Sequence, residues 1–564
     1  MTAVARFVFV LALITATVAG DQPTAANRAT PGEAVVHASG RTATSIAVSW
    51  MSDATPNRWW VVVSSASDDR SAGQRTVAGT RREVVVEHLA PDSTYLVRVV
   101  PVDPGSGFGA FSSPVEVRTP PMDACSGAPS SVTCAVADVT APVGPATGVG
   151  NGFLHSISDG TDPARVRVLH PTAWRLSALD FERFAVARRY GGPITALVSD
   201  PWAISFGSKP PWDRWEFYKM WVGWVVDLHV RAGMLPDFWE IQNEPSSPQS
   251  YIGGTPPTPE LVSQQYAVAA EVIHQKLPDA KVIGPASAYV TFGSGLTDID
   301  GFLDRAAAAG LRLAGVSWHE IGAGCLGTCD GSPRAVLQHA DDVRAAIAAH
   351  PALGPLSLHV DEYTAPWNAR QPGAVAGYLS SLAYAGVDEA MQTCNPVDLT
   401  SGGNDITCWR KPGMLDGLLL DDGATATDAW YVHRAYADMT APGATLVASA
   451  IADPEASVVA TVDTGGVIRV LAGRHTGCQT GVDDNCPEGF SYATPRDVAV
   501  VIDVGPRSPA SYTVTVQRIV SVHGASAGPE TIATSRVAVR DGRVDAGTFR
   551  TGDGDALVVV LTPS

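Results

Sequence analysis

The sequence predicts three folded parts in series: a small β-sandwich, a (β/α)8 barrel and a C-terminal β-sandwich. Three observations support this multidomain fold class. Short alternating runs separated by turns fill residues 31–120, strand-like and helix-like runs alternate over residues 148–442, and residues 443–564 return to strand-like runs alone. A chain of 564 residues is also too long for one ordinary core, which agrees with several domains.

The first residues have the layout of a secretory signal peptide. Arg6 precedes an apolar run over residues 7–14, and small residues follow as far as Gly20. The apolar run is too short to span a bilayer well. We therefore expect residues 1–20 to be a signal peptide and the mature protein to be secreted, without a membrane anchor.

Composition narrows the class of ligand. Hydrophobic residues make up 45% of the chain and charged residues only 17%, which is typical of a folded protein rich in turns. The formal net charge of -18 argues against a nucleic-acid-binding surface, because such a surface needs clustered Lys and Arg. The same charge suits a carbohydrate partner, either a neutral polymer or a small sugar. No pattern in the sequence requires a metal or an organic cofactor.

The cysteines of the chain fall into close sequential pairs. In an exported chain such pairs favour disulfides over metal binding. The second pair also has a spacing that zinc ligands adopt, with His319 and His339 nearby, so zinc is the alternative there. The predicted disulfides join Cys125 to Cys134, Cys325 to Cys329, Cys394 to Cys408, and Cys478 to Cys486.

Residues 31–120 contain short strand-like runs with the spacing of a β-sandwich. The runs cover residues 45–50, 59–64, 83–87, 95–100 and 115–118. Residues 89–95 resemble the tyrosine-corner segment of fibronectin type III domains, and Trp50 stands where their core tryptophan lies. Such a domain implies a spacer or a binding unit without a catalytic role. Residues 120–145 are rich in Pro, Ser, Ala and Gly, which predicts a linker or the edge of the next domain, and residues 121–147 are assigned to a linker.

Strand-like runs separated by helical periodicity predict the barrel over residues 148–442. The strand-like runs are residues 165–169, 194–198, 238–242, 281–284, 315–319, 356–362 and 389–393, with an eighth strand expected near residues 150–155. Helical periodicity covers residues 215–233, 259–276, 300–310, 334–349 and 373–385. Residues 443–564 contain strand-like runs only and predict the second sandwich.

Two glutamates stand at the ends of predicted barrel strands, where a parallel barrel holds its chemistry. Glu244 lies between Asn243 and Pro245, and Glu362 ends the run 356–362. Proline ends a strand because it has no N–H for the ladder. Cleavage of a glycosidic bond needs two carboxyl groups beside one acetal carbon. The pair therefore predicts a glycosidase.

Around these glutamates the chain resembles clan A retaining glycoside hydrolases, and most of all glycoside hydrolase family 39. The matching segments are residues 165–170 for the strand with a site arginine, 240–245 for the acid/base strand, 317–322 for the strand with a substrate-binding histidine, 359–363 for the nucleophile strand, and 417–423 with 429–431 for the stretch before the final helix. The resemblance implies that Glu244 is the general acid/base and Glu362 the nucleophile. Their carboxyl groups would lie about 5–5.5 Å apart, so that cleavage retains the anomeric configuration.

The resemblance also implies roles in substrate binding. Asn243 would hold the 2-hydroxyl of the reacting sugar, and His319 would donate a hydrogen bond to the substrate or the nucleophile. Arg167 would lie beside Glu362 and favour its ionised form, and Arg165, on the same face of the predicted strand, is the alternative. Two further acids lie near the glutamate pair in the sequence, Glu240 and Asp361, and both are expected to point away from the site.

Tryptophans near the predicted strand ends are candidates for stacking on sugar rings. Trp318 and Trp409 are assigned to substrate binding, and Trp202 and Trp367 are further candidates. For Trp409, Trp202 and Trp367 a core role is equally open. Ile321 departs from the family pattern, which often has an aromatic residue at that position.

The family resemblance favours xylose or arabinose units in a polysaccharide or oligosaccharide. Two other functions stay open at this point. One is a carbohydrate-binding protein built on an inactive barrel. The other is a transglycosylase that uses the same residues but excludes water from the second step.

Overall fold

The structure, a computed structural model, describes most of the chain. The described residues are 34–66, 71–103, 107–125, 131–198, 215–245, 257–290, 298–321, 332–364, 371–393, 413–475, 495–522, 525–552 and 554–564. Some predictions lie outside the described residues. These concern the signal peptide at residues 1–20, the pairing of Cys325, Cys329, Cys394, Cys408, Cys478 and Cys486, and the roles of Trp202, Trp367 and Trp409.

The N-terminal domain is the predicted β-sandwich. Its strands are β1 (Val35–Thr42), β2 (Ser45–Met51), β3 (Arg58–Ser65), β4 (Ser71–Ala78), β5 (Glu83–Val86), β6 (Thr94–Asp103), β7 (Gly107–Phe108) and β8 (Val115–Arg118). One sheet has the order β1-β2-β5, and the other has the order β4-β3-β6-β7 with β8 beside β6. Trp50 and Trp59 meet edge to face in the core, with ring centroids 5.8 Å apart. The Tyr95 hydroxyl accepts a hydrogen bond from the Ala90 N–H at 2.8 Å, which confirms the tyrosine corner.

Parallel strands close into a barrel in chain order, as predicted. The barrel strands are β10 (Gly152–Phe153), β11 (Trp174–Ser177), β12 (Ile194–Leu197), β13 (Phe238–Glu240), β14 (Val282–Ser287), β15 (Gly315–Glu320), β16 (Ser357–Tyr363) and β17 (Glu389–Gln392). The helices are α1 (Pro163–Arg167), α2 (Phe181–Arg188), α3 (Trp215–Ala232), α4 (Pro259–Lys276), α5 (Ile299–Ala308), α6 (Ala335–Ala349), α7 (Pro372–Ala385) and α8 (Asp428–Met439). Within the described ranges, no helix is both long and apolar enough to cross a bilayer.

One predicted barrel strand is wrong. Residues 165–169 overlap α1 instead, because Asp162 caps that helix by accepting a hydrogen bond from the Ala164 N–H and Pro163 suits its first turn. The second barrel strand is β11, in which all four residues are buried. A strand buried on both faces shows no polar alternation, and a charged residue interrupts its apolar run, so the sequence pattern concealed it.

The C-terminal domain is one sheet that curls until its outer strands, β23 and β24, lie close together. Its strands after the barrel are β18 (Thr445–Ile451), β19 (Ala456–Val462), β20 (Ile468–Arg474), β21 (Arg496–Asp503), β22 (Ser511–Ile519), β23 (Glu530–Ala538), β24 (Arg543–Thr551) and β25 (Ala556–Pro563). The inner face encloses a core of Val, Ile, Leu and Ala side chains. The two layers of the predicted sandwich are therefore two halves of one curled sheet.

A ninth strand of this sheet comes from the segment predicted as a linker. β9 (Val132–Pro145) pairs antiparallel with β18 and parallel with β21, so the chain enters the C-terminal domain before it enters the barrel. The linker prediction for residues 121–147 is therefore wrong over β9. Small apolar residues in this segment, such as Ala135 and Ala137, fill the sheet core and do not mark a flexible connection. The disulfide between Cys125 and Cys134 confirms the first predicted pair.

The N-terminal domain packs against α6 of the barrel through buried polar contacts. The Gln338 side chain accepts a hydrogen bond from the Gln74 N–H. Arg75 forms ion pairs with Asp341 at 2.7 Å and with Asp342 at 3.5 Å. Because these groups are largely removed from water, each depends on its partner across the interface.

Arg334, just before α6, connects all three folded parts. Its guanidinium donates to the carbonyl of His88 in the N-terminal domain at 2.7 Å. It also donates to the carbonyls of Asp453 and Ala456 in the C-terminal domain at 3.3 and 3.1 Å. The domains are thus docked on one another at a shared point.

Candidate active site

Glu244 lies past the end of β13, at the rim formed by the C-terminal ends of the barrel strands. Its N–H donates to the carbonyl of Ala286 in β14 at 3.0 Å, which ties the segment to the neighbouring strand. The backbone of Glu244 has a φ of 42°, in the left-handed region that is unfavourable for residues other than glycine. Strain of this kind is concentrated at functional sites, where the surrounding structure maintains it.

Glu362 is the residue before the last in β16, and a β-bulge directs its side chain. Trp318 and His319 are consecutive in β15, but their partners in β16 are Val360 and Glu362. Asp361 is therefore the extra residue of the bulge. A bulge interrupts the strict alternation of side chains along a strand and can redirect a functional group.

Glu244 and Glu362 face each other beside His319. The Nδ1 atom of His319 lies 2.9 Å from Oε1 of Glu244 and 3.9 Å from Oε2 of Glu362. One oxygen of each carboxylate and one ring nitrogen of the histidine all lie within 4.8 Å of one another. The structure thus brings together the two glutamates and the histidine that the sequence singled out.

Arg175, on β11, is the arginine of this site. It is fully buried and donates through Nη1 to Oε1 of Glu362 at 2.7 Å and through Nη2 to Oδ1 of Asn243 at 2.7 Å. Its Nε donates to Oε2 of Glu240 at 2.6 Å. The assignment of Arg167 to this position is wrong, because Arg167 ends α1 and the strand that faces Glu362 is β11.

Two carboxyl groups expected to point away from the site lie directly beneath it. Glu240 is fully buried and bound by Arg175, and its Oε1 accepts a hydrogen bond from the Ser317 hydroxyl at 2.7 Å. Asp361 is also fully buried and contacts Glu240. The bulge in β16 is the physical reason, since it places Asp361 inside the barrel beside Glu362.

Burial and neighbouring charges set the protonation of the site. Burial raises the pKa of Glu362, and Glu244 raises it further, while His319 and Arg175 oppose this by favouring the ionised form. For His319, burial alone would lower the pKa, but Glu362 and Glu244 outweigh it and the pKa is raised. His319 therefore tends to carry a proton between the two carboxyl groups.

Asn243 is held in one orientation by Arg175. Because its Oδ1 accepts the hydrogen bond from the guanidinium, its Nδ2 is the group that can donate to another partner. Asn243 precedes Glu244 and is partly exposed, so this donor lies at the same rim as the carboxyl pair. The orientation suits a group that binds a hydroxyl oxygen.

Trp318 does not have the exposure that stacking on a sugar requires. It is 0% exposed, and its indole N–H donates to Oε1 of Glu320 at 2.6 Å. Both oxygens of Glu320 also contact Nδ1 of His339 on α6, at 2.9 and 3.0 Å. The predicted role of Trp318 in substrate binding is corrected to a core role that anchors the end of β15.

Among the residues that the structure describes, two groups of side chains have the spacing of metal ligands. One consists of Glu244, His319 and Glu362, and the other of Glu87, His88 and Asp341 at the domain interface. An arginine pairs with a carboxylate in each group, Arg175 with Glu362 and Arg75 with Asp341. This positive charge opposes a cation, so the first arrangement fits proton transfer and nucleophilic attack better than metal binding.

The family comparison concerns the N-terminal part of the chain. Residues 30–118 match the model of the fibronectin type III domain. This domain is a fibronectin type III domain. Its observed tyrosine corner and core tryptophans agree with that assignment. Among curated proteins, none matches the chain.

Solved structures resemble about three quarters of this chain in fold. N2152 from Neocallimastix frontalis has a TM-score of 0.60 at 17% identity, covering 77% of this chain and 100% of its own. A monomeric β-xylosidase from Caulobacter crescentus has a TM-score of 0.52 at 16% identity, covering 76% and 99%. The GH39 enzyme from Xanthomonas axonopodis pv. citri has a TM-score of 0.52 at 15% identity, covering 76% and 97%. At these identities the likeness establishes the fold alone.

Proposed function

We propose that this chain is a retaining glycoside hydrolase in which Glu362 is the nucleophile and Glu244 the general acid/base. The observation that carries the proposal is the separation of the two carboxylates, which have oxygens within 4.8 Å of each other. Retaining enzymes hold their carboxyl groups about 5–5.5 Å apart, whereas inverting enzymes hold them about 6.5–9.5 Å apart to admit a water molecule. The short separation favours direct attack by a carboxylate.

In the first step, Glu244 donates its proton to the leaving oxygen while Glu362 attacks the anomeric carbon to form a glycosyl-enzyme. In the second step, Glu244 accepts a proton from water, which attacks the same carbon and releases the sugar. Arg175 and His319 stabilise the anionic form of Glu362 before attack. His319 is also hydrogen-bonded to Oε1 of Glu244, and this contact holds the Glu244 carboxyl group in place both when it is protonated and when it is ionised.

Asn243 is proposed to bind the hydroxyl of the reacting sugar next to the anomeric carbon. Its amide is oriented by Arg175, which also binds Glu362. One rigid guanidinium therefore sets the distance between the sugar-binding amide and the nucleophile. Interactions with this hydroxyl strengthen as the transition state forms, so the amide would contribute to rate as well as affinity.

The proposed substrates are pentose-containing polysaccharides or oligosaccharides, with xylose or arabinose units. Support comes from the resemblance of the strand motifs and from the shared fold with the β-xylosidase of Caulobacter crescentus. The layout of residues 1–20 supports action outside the cell. The net charge of -18 supports a neutral substrate over an anionic one.

The decisive experiment is to trap the intermediate. Purified protein is incubated with 2-deoxy-2-fluoro xylosides and arabinosides bearing activated leaving groups, and the labelled peptide is identified by mass spectrometry. The proposal predicts one covalent glycosyl group on Glu362. A panel of aryl glycosides and xylan fragments then gives kcat/KM for wild type, Glu362→Ala and Glu244→Ala.

The control is Glu271→Gln, because Glu271 is exposed and lies near the C-terminal end of α4, at the face of the barrel opposite to the carboxyl pair. Wild type and this control are expected to release the same product with retained configuration. Azide should restore turnover to both alanine variants, giving an inverted glycosyl azide with Glu362→Ala and a retained one with Glu244→Ala. Inverted product from wild type, or a label on another residue, would contradict the proposal.

A further inference from the structure

Asp361 is an acid in an unusual position. Both of its carboxyl oxygens are buried, and neither receives a hydrogen bond from a donor group in the described part of the chain. It is the extra residue of the bulge that precedes Glu362. An ionised carboxylate is very unfavourable in such a place unless a donor or cation compensates it.

The neighbouring groups are already committed to other partners. Arg175 binds Glu240 at 2.6 Å and Glu362 at 2.7 Å, and the Ser317 hydroxyl donates to Glu240. The Ser317 oxygen in turn accepts from the Ala286 N–H at 3.0 Å. The carboxyl group of Asp361 therefore faces the carboxyl group of Glu240 and the Ser317 hydroxyl, which already donates to Glu240. Two carboxyl groups attract each other only when one of them carries a proton.

We propose that Asp361 is permanently protonated in the working protein and donates a hydrogen bond to Glu240, and that it thereby positions Arg175 against Glu362. Glu240 then remains an anion with three donors around it: Arg175, Ser317 and Asp361. Asp361 acts through these groups and does not touch the reacting atoms. Its catalytic consequence rests on the proposed function of Glu362, but its protonation does not.

The electrostatic surroundings agree with this geometry. Burial raises the pKa of Asp361 well above its usual range, and Glu240 raises it further, while Arg175 and the Ser317 hydroxyl act in the opposite direction. For Glu240, burial acts to raise the pKa, but Arg175 and the hydrogen bond from Asp361 outweigh it and the pKa is lowered. Tyr266 also lies near both acids and, with its own pKa raised well above normal, remains neutral.

A neutral Asp361 matters because one guanidinium serves three carboxyl groups. If Asp361 were ionised, its negative charge next to Glu362 would raise the pKa of the nucleophile, and Arg175 would face three anions. With Asp361 protonated, Arg175 faces two anions, Glu240 and Glu362. The proton therefore preserves the ionised nucleophile.

The first test needs no substrate. Carbon-13 carboxyl spectra are compared for wild type, Asp361→Asn and the exposed control Asp227→Asn. The spectra are recorded near pH 9, about two units above the pKa of about 7 of Asp342 and of Asp416, so that these two buried aspartates are ionised. One aspartate signal should remain in its protonated position in wild type and in the control, and it should be missing from Asp361→Asn. Absence of any protonated aspartate from the wild-type spectrum, which requires no variant to fold, overturns the proposal.

The second test uses activity. The acidic limb of kcat/KM reports ionisation of the nucleophile in the free enzyme. Asp361→Ala should lower kcat/KM about tenfold by removing the donor to Glu240, and Asp361→Asn, which keeps a donor without charge, should restore most of the loss. The acidic limb should stay in place in Asp361→Asn. A limb displaced to lower pH shows that wild-type Asp361 is an anion and overturns the proposal, whereas inactivity of wild type on every glycoside counts against the proposed function alone.

Discussion

Nη1 of Arg175 lies 2.7 Å from Oε1 of Glu362, in the interior of the barrel. The same guanidinium holds Asn243 and Glu240, so three groups of the site depend on one planar, five-donor side chain. A buried arginine shared in this way fixes distances as well as charge. It links Glu362 at the rim to the carboxyl groups beneath it.

Replacement of Arg175 by Lys should therefore remove most of the activity. A lysine keeps the charge but cannot contact Glu240, Glu362 and Asn243 together, so we expect kcat/KM to fall by about a hundredfold or more. Arg175→Met should in addition lower the free energy of unfolding by about 3–5 kcal/mol, because it leaves buried carboxylates uncompensated. Kinetic assays and chemical denaturation measure the two effects.

Arg167→Ala is the matched control for these variants. Arg167 belongs to α1 and is the residue that the sequence pattern pointed to. The activity of Arg167→Ala is expected to equal that of wild type within about twofold, since substitutions on the surface away from a site have small effects. If Arg167→Ala and Arg175→Lys lost activity equally, the structural assignment of the arginine would be wrong.

His319→Gln should change the pH dependence of the reaction. The protonated imidazole lowers the pKa of Glu362, so its removal should raise that pKa and move the acidic limb of kcat/KM to higher pH. The loss of the 2.9 Å hydrogen bond to Glu244 should also lower kcat by about tenfold to a hundredfold. A profile of kcat/KM against pH for both proteins checks this. An acidic limb at the wild-type position would mean that His319 carries no charge beside Glu362.

The sequence predicted those parts of the molecule that follow a regular period. The bounds of α4 match the predicted helix, and the end of β16 supplies Glu362 as expected, because apolar spacing along a helix or strand is a local property. The glutamate pair was also predictable, since each residue follows an apolar run. Closure of the barrel then brings Glu244 and Glu362 together.

The errors arise where local rules conflict with tertiary contacts. Val166 and its apolar neighbours suggested a strand, yet the Asp162 cap begins a helix there, and the true strand carrying Arg175 has no alternation. The bulge at Asp361 shifts the register by one residue, which no periodic pattern reveals. A buried arginine in an apolar run was the signal that could have identified β11, because such a residue requires anionic partners.

Asp342 gives a prediction for stability. Burial at the domain interface raises its pKa to about 7, while Arg75 and His339 oppose that rise. An unfolded aspartate has a pKa of about 3.9, so between about pH 4 and 7 the folded protein holds a proton that the unfolded chain has released. This group's contribution to stability is therefore greatest at low pH and is lost as pH rises towards 7.

Asp342→Asn should remove that dependence. Relative to wild type, the free energy of unfolding of the variant should increase by roughly 1–3 kcal/mol between pH 4 and pH 8, because the amide is never ionised. Thermal or denaturant unfolding at both pH values measures the difference, and exposed Asp227→Asn serves as control. A difference that is independent of pH would show that Asp342 ionises normally in the fold.

The contacts of Arg334 predict that the fibronectin type III domain unfolds together with the barrel. Arg334 donates to backbone carbonyls in two other domains, and Gln338 on α6 is bound to the backbone of the fibronectin type III domain at Ala72 and Glu87 at 3.2 Å each. Removal of either side chain breaks partly buried hydrogen bonds across the interface, each of which contributes about 0.5–1.5 kcal/mol. Arg334→Ala and Gln338→Ala should each lower the melting temperature, whereas exposed Lys219→Ala should not.

Calorimetry of wild type should give one shared transition for the two domains, and the double variant should separate it into two. Two transitions in wild type, with the first unchanged by Arg334→Ala, would show instead that the domain is only tethered.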